Sequence, residues 1–201
     1  LEHRRQRQMC IRDSIRGGSA TVHFPIWHQE IEDIIVLKNN KGTEDNRVRK
    51  LDYSIQTSKI FYERFIEDSN ITLFSPHDVP GLYDAFGTDE FDDLYTRYES
   101  DETIPKKTVR AQALILDILK ERAETGRLYL MNIDHCNTHS SFKDKVNMSN
   151  LCQEITLPTD PLQHIDGEGE IALCILSAIN VGKINKLDEL ENLCDLSVRG
   201  L

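Results

Sequence analysis

The run Ala111-Gln112-Ala113-Leu114-Ile115-Leu116-Asp117-Ile118-Leu119, continued through Gly126 into Leu128-Tyr129-Leu130-Met131-Asn132, decides the fold class. Ala111, Leu114, Ile115, Ile118 and Leu119 recur at helical spacing and predict an amphipathic helix. Gly126 stands at the C′ position, where a left-handed residue ends a helix at low steric cost, and residues 128–132 then read as a strand. A helix handed to a strand through a short glycine turn is the grammar of an α/β fold with parallel strands.

The same alternation extends outward from this run. Upstream, residues 19–24 alternate as a strand, and Ile31, Ile34 and Ile35 form one face of a helix over residues 30–37. Residues 38–50 are a polar loop and 53–56 a short strand; Ile60, Phe61 and Phe65 mark a helix, and residues 71–74 a strand stopped by Pro76. Pro80 and Gly81 interrupt the chain before Phe91, Leu94, Tyr95 and Tyr98 restore a helix with a solvated acidic face. Downstream, residues 134–147 read as a polar loop, 150–155 as an extended segment, 158–169 as a loop and 171–176 as a strand carrying Cys174. Leu190, Leu193, Cys194, Val198 and Leu201 share a final helical stripe. Trp27 and the tyrosines read as core or interface.

Composition narrows the function classes. With 39% hydrophobic and 29% charged residues, the 201-residue chain is an ordinary soluble globular one. The net charge of −10 argues against a nucleic-acid surface, which needs clustered positive charge. No run of 18 apolar residues and no secretory signal is present, so the expectation is no membrane and a cytoplasmic location. Five cysteines, Cys10, Cys136, Cys152, Cys174 and Cys194, are an odd, scattered set and not a secreted disulfide framework. His135, Cys136 and His139 lie close together, but no second pair completes a zinc site, and no metal is expected. Residues 1–14, with Arg4, Arg5, Arg7 and Arg12 and no apolar periodicity, read as a non-native, adapter- or cloning-like leader; they and Cys10 are set aside. The native part is then 15–201, and both ends read as truncations.

Chemistry concentrates at Ser149-Asn150-Leu151-Cys152-Gln153-Glu154. In an extended chain Asn150, Cys152 and Glu154 project to one side, which places an amide, a thiol and a carboxylate together. At neutral pH an ordinary glutamate is ionised and an ordinary cysteine is mostly a thiol able to give up a hydrogen atom. That set suits work on a polyol or a sugar. An isolated cysteine is more often a small buried hydrophobe, so spacing alone leaves both readings open.

The text around the thiol carries a resemblance. Residues 150–159 (Asn-Leu-Cys-Gln-Glu-Ile-Thr-Leu-Pro-Thr) and 169–180 (Gly-Glu-Ile-Ala-Leu-Cys-Ile-Leu-Ser-Ala-Ile-Asn) resemble the active-site region of the large, catalytic subunit of class I ribonucleotide reductase. Leu37-Lys38-Asn39-Asn40, Asn46-Arg47-Val48-Arg49, Leu73-Phe74-Ser75-Pro76, residues 79–86 and residues 132–139 are similar to that family in the same order, from Ile15 to about Gly200.

The resemblance implies part of a ten-stranded α/β barrel, two five-stranded parallel halves with a central finger loop whose tip is Cys152. The chain would cover the later part of the first half, the finger and the opening of the second half. It also implies a ribonucleoside-diphosphate reductase, an oxidoreductase making deoxyribonucleotides for DNA synthesis. Cys152 would be the thiyl-radical site, Glu154 the general base for the 3′ hydroxyl and Asn150 a holder of the sugar hydroxyls. Cys174 would be one of two reducing thiols, its partner lying upstream of residue 15. Asn150, Leu151, Arg16 and Gly17 would contact substrate, the last two from a specificity loop. His135, Asn137 and His139 are given no catalytic role, and a hydrogen-bonded loop is their expected use.

No cofactor is expected on the chain itself. The radical would come from a metal-containing small subunit and electrons from thioredoxin or glutaredoxin. ATP and deoxynucleoside triphosphates would act as effectors, and the full-length large subunit would be a homodimer acting on ribonucleoside diphosphates. The 201-residue piece alone is expected to be inactive. The alternatives are a non-catalytic paralogue and a barrel piece of another thiyl-radical reductase.

Overall fold

The computed structural model describes residues 19–42, 47–162, 164 and 167–201. Arg16, Gly17 and residues 1–14, including Cys10, lie outside them. The chain divides into two units, one running to Pro158 and the other from Thr159 to Leu201.

The first unit is built on a three-stranded parallel sheet in the order β1-β2-β5, with β1 at Thr21–Pro25, β2 at Asp52–Thr57 and β5 at Leu128–Asn132. Val22 is level with Tyr53, and Tyr53 with Leu128. Helix α1 (Ile31–Ile35) lies between β1 and β2 in sequence and buries Ile31, Ile34 and Ile35, as its spacing predicts. Helix α5 (Ala111–Thr125) buries Ala111, Leu114 and Ile118 and ends at Gly126 with φ +67°, the left-handed cap expected there. Each of these leucine and isoleucine side chains taken out of water contributes about 1.5–3 kcal/mol.

Between β2 and α5 the chain makes α2 (Lys59–Ile66), β3 (Asn70–Leu73), α3 (Leu82–Ala85), α4 (Phe91–Ser100) and β4 (Lys107–Arg110). Here the sequence reading needs correction. β3 does not join the parallel sheet; it pairs antiparallel with β4 in a separate two-stranded ribbon, Ile71 opposite Val109. The unforeseen β4 has a single apolar residue, and its backbone is ordered by the hydrogen-bonding edge that β3 offers. Under these elements lies an aromatic core of Trp27, Phe61, Phe74, Phe86, Phe91 and Tyr95, with Phe86 and Phe91 centroids 4.6 Å apart and Phe61 edge-on to Tyr95 at 5.4 Å. Tyr95 donates to the Thr72 carbonyl (2.7 Å) and accepts from the Thr72 N–H (2.9 Å), which ties α4 to β3. Arg64 and Glu99 make a bidentate ion pair over the same ring.

Residues 134–138, read as part of a loop from their polarity, belong to helix α6 (Ile133–Thr138), with Ile133 buried. Asn137 donates to the Ile133 and Val146 carbonyls (2.9 and 3.1 Å) and accepts from the Val146 N–H (2.8 Å). It closes the following loop, the hydrogen-bonding use expected of it.

In the second unit, residues 171–176 are not the expected strand: they are exposed and carry no regular structure. A strand needs a neighbour for its N–H and C=O groups, and no other described segment of this unit pairs with it. The unit's helix α7 (Glu189–Arg199) follows the predicted apolar stripe, and Ser177 and Ser197 hydroxyls meet at 2.6 Å.

Candidate functional site: a thiol loop on the polar face of the sheet

β2 is buried along its whole length, although Asp52, Ser54, Gln56 and Thr57 are polar. Strands of a parallel sheet are ordinarily near-continuous apolar runs, because both faces are covered by protein. The alternation has a direct use. Tyr53 and Ile55 face the aliphatic and aromatic core, while Ser54 and Gln56, with Thr21 and His23 of β1, reach a loop lying across the other face. Gln56 Nε2 donates to the Asn147 carbonyl (2.6 Å), His23 Nε2 to that of Ser149 (3.2 Å) and Thr21 Oγ1 to that of Leu151 (2.6 Å). Gln153 binds at both ends of its amide: Ser54 Oγ donates to its Oε1 (2.6 Å), and its Nε2 donates to the Leu130 carbonyl of β5 (2.6 Å).

The loop is closed at its base by an antiparallel bridge between Ser149 and Thr156. Residues 150–155 are not extended, which corrects the period-two argument from sequence. The Gln153 N–H donates to the Asn150 carbonyl (3.1 Å), and Gln153 takes φ +60°, a left-handed conformation uncommon outside glycine. Asn150 Oδ1 accepts from the backbone N–H groups of Glu154 (3.1 Å) and Ile155 (3.0 Å). A side chain standing in for a backbone acceptor in a turn is a habit of asparagine. Asn150 and Glu154 are therefore neighbours through this cap and not through strand alternation. Cys152 sits in the turn between them, exposed, as are Leu151 and Glu154. With Oδ1 engaged, the Asn150 amide nitrogen is the group left for a ligand.

A cleft of about 490 Å³ opens beside the loop, lined by Leu130, Met131, Asn132, Gln153, Thr156 and, from α6 and its continuation, His135, Cys136 and His139. Asn150, Cys152 and Glu154 are not among its walls. Burial and the nearby Asp134 raise the Cys136 thiol pKa, which holds it in its protonated, less nucleophilic form. The His135 and His139 rings meet edge-on at 5.5 Å. Among the described residues no cluster of three or more His, Cys, Asp or Glu is arranged to hold a metal, and no helix is long and apolar enough to cross a membrane. Burial lowers the His23 pKa, opposed by its bond to the Ser149 carbonyl. Cys174 is exposed in the second unit.

Sequence reasoning missed Thr21, His23, Ser54, Gln56 and Gln153. A signal for two of them was present: polar residues at every second position of a strand otherwise destined for a parallel sheet.

The sequence profile of the ribonucleotide reductase barrel domain matches residues 5–201, beginning ten residues before the motif resemblance does. The ribonucleoside-diphosphate reductase subunit alpha of Haemophilus influenzae is 58% identical over 198 residues, covering 96% of this chain and 26% of that protein. The ribonucleoside-diphosphate reductase 1 subunit alpha of Escherichia coli is 55% identical over 158 residues, 76% of this chain and 21% of that protein. The alpha subunit of phage T4 is 41% identical over 200 residues, 96% of this chain and 26% of its own length. The chain thus spans about a quarter of the length of these relatives. Its parallel α/β sheet is not closed into a barrel within the described residues. A match over nearly every residue, on a sheet whose polar face holds a cysteine-bearing loop, gives one conclusion: the chain belongs to the ribonucleotide reductase large-subunit family and carries sequence of its barrel domain.

Proposed function

We propose that the full-length protein containing this chain reduces ribonucleoside diphosphates to deoxyribonucleoside diphosphates in the cytoplasm, with the loop at residues 149–156 as its radical centre. The observation that carries the reading is the turn itself: Cys152 is exposed in it, and the Asn150 amide oxygen caps the backbone N–H groups of Glu154 and Ile155, which makes Asn150 and Glu154 neighbours. A separate small subunit supplies the oxidising equivalent that makes the Cys152 thiyl. Cys152 then takes the hydrogen from C3′ of the ribose, and Glu154 takes the 3′-hydroxyl proton as general base. The Asn150 amide nitrogen donates to a sugar hydroxyl. Cys174 and a second thiol outside this chain supply two electrons and two protons as the 2′ hydroxyl departs as water, and they end as a disulfide. Cys152 returns the hydrogen to C3′, Glu154 returns its proton to the 3′ oxygen, and thioredoxin or glutaredoxin reduces the disulfide. Arg16, Gly17 and Leu151 contact substrate, and nucleoside triphosphates act as effectors on a homodimer.

The test is the order of loss in the full-length protein with its small subunit. Cys152→Ser removes the S–H bond that a radical can occupy and should abolish all turnover, including substrate breakdown. Cys174→Ser leaves hydrogen abstraction intact, so the substrate radical should form and decay to free base and damaged sugar. Turnover by the Cys152 variant, or no abnormal decay in the Cys174 variant, would overturn the assignment.

A further inference from the structure

We infer that Gln153 and Ser54 are positioning residues that set the direction of the Cys152 thiol, an inference that rests on the reading of Cys152 given above. Gln153 is one of only two non-glycine residues with positive φ among those described, and it directly follows the cysteine. Its backbone closes the turn on the Asn150 carbonyl, while its side chain is bolted to two strands, to Ser54 Oγ of β2 and the Leu130 carbonyl of β5, each at 2.6 Å. Ser54 is fully buried. A valine there would suit a parallel strand as well, since a buried hydrogen-bonded pair seldom outdoes well-packed apolar groups in stability. What the polar pair supplies is geometric definition: the left-handed residue that turns the chain after Cys152 cannot rotate without breaking both bonds. Thr21 holds the carbonyl of Leu151 on the other side of the cysteine at 2.6 Å. The tip is thereby fixed on both sides while the thiol itself stays exposed. A reacting group misplaced by about 1 Å can lose about a hundredfold in rate, so a clamp of this kind acts on turnover more than on affinity.

The variants belong in the full-length protein with its small subunit. Gln153→Gly tolerates the left-handed backbone but has no clamp; its kcat should fall about 10- to 100-fold, with KM for the nucleoside diphosphate within about threefold of wild type. Ser54→Ala should fall in the same sense, and Ser54→Thr, which keeps the hydroxyl, should regain most of the loss. A generally unfolded site would move KM and melting temperature as well. Cys152 alkylation by iodoacetamide, followed on its own peptide by mass spectrometry, should shift in rate by at least about threefold in Gln153→Gly. A Gln153→Gly enzyme with kcat within about twofold of wild type, or a Ser54→Thr variant no better than Ser54→Ala, overturns the clamp. Should the wild-type protein reduce no ribonucleotide, the reading of Cys152 as radical site falls, and the clamp is judged on alkylation: an unchanged rate in Gln153→Gly overturns it.

Discussion

Asn150→Ala removes one acceptor atom that serves two backbone donors. Oδ1 of Asn150 holds the N–H groups of Glu154 and Ile155 at 3.1 and 3.0 Å, and both lie on the returning side of the turn that carries Cys152. A hydrogen bond contributes about 0.5–1.5 kcal/mol net, so losing two costs the loop about 1–3 kcal/mol. With each 1.36 kcal/mol worth a factor of ten, local opening should become roughly 5- to 150-fold more frequent. Amide hydrogen exchange on peptides spanning residues 150–155 reads that opening directly. Asn150→Asp is the control that separates two roles. Its carboxylate keeps the acceptor, so exchange should stay within about twofold of wild type, yet it lacks the N–H donor assigned to the sugar, so deoxynucleotide formation should still fall. Unchanged exchange in Asn150→Ala, or an Asp variant as open as the Ala one, would refute the cap.

Three further perturbations test other parts of the structure. Gly87 has φ +89°, and a Cβ there would lie 2.8 Å from Ile133 Cγ1 and 3.0 Å from Asn137 Nδ2, so Gly87→Ala should destabilise by about 1–3 kcal/mol and lower the melting temperature. Tyr95→Phe strips the buried Thr72 N–H and C=O of their shared hydroxyl and should cost about 1–3 kcal/mol by denaturant titration. Burial lowers the His23 pKa, so the unfolded chain takes up its proton first as pH falls; wild type should lose stability on acidification below about pH 6.5, and His23→Gln should show a shallower loss over the same range. An identical pH slope in the two proteins would refute a role for His23 in that window.

The elements legible from sequence are those whose stability comes from their own apolar face. Helix α5 and its Gly126 cap were readable because Ala111, Leu114 and Ile118 report a core at helical spacing, and the cap needs only one residue with free φ. Strand β4 was not, because Lys107-Thr108-Val109-Arg110 has no face of its own; it is extended only because Asn70–Leu73 offers an edge. Residues 171–176 are the converse case. Their apolar character is strong, but an unbroken apolar run says only what could be buried and supplies no hydrogen-bonding neighbour, so within its own unit the segment stays exposed and irregular.

The candidate site was legible in composition and not in geometry, and the reason lies in Gln153. A spacing of two puts side chains on one side only where every residue between them is extended. A single residue at φ +60° breaks that rule, and no residue preference in Asn-Leu-Cys-Gln-Glu announces it, since glutamine has no special tolerance for the left-handed region. The conformation is imposed from outside, by Ser54 and the Leu130 carbonyl, which stand 99 and 23 positions away in the chain. Asn150 and Glu154 still come together, but through an asparagine cap whose donors are backbone groups. The turn is therefore a property of the strands beneath it as much as of the loop, and Ser54 and Gln56 of β2, buried at positions where valine would serve a parallel sheet, mark in sequence where that outside control is exerted.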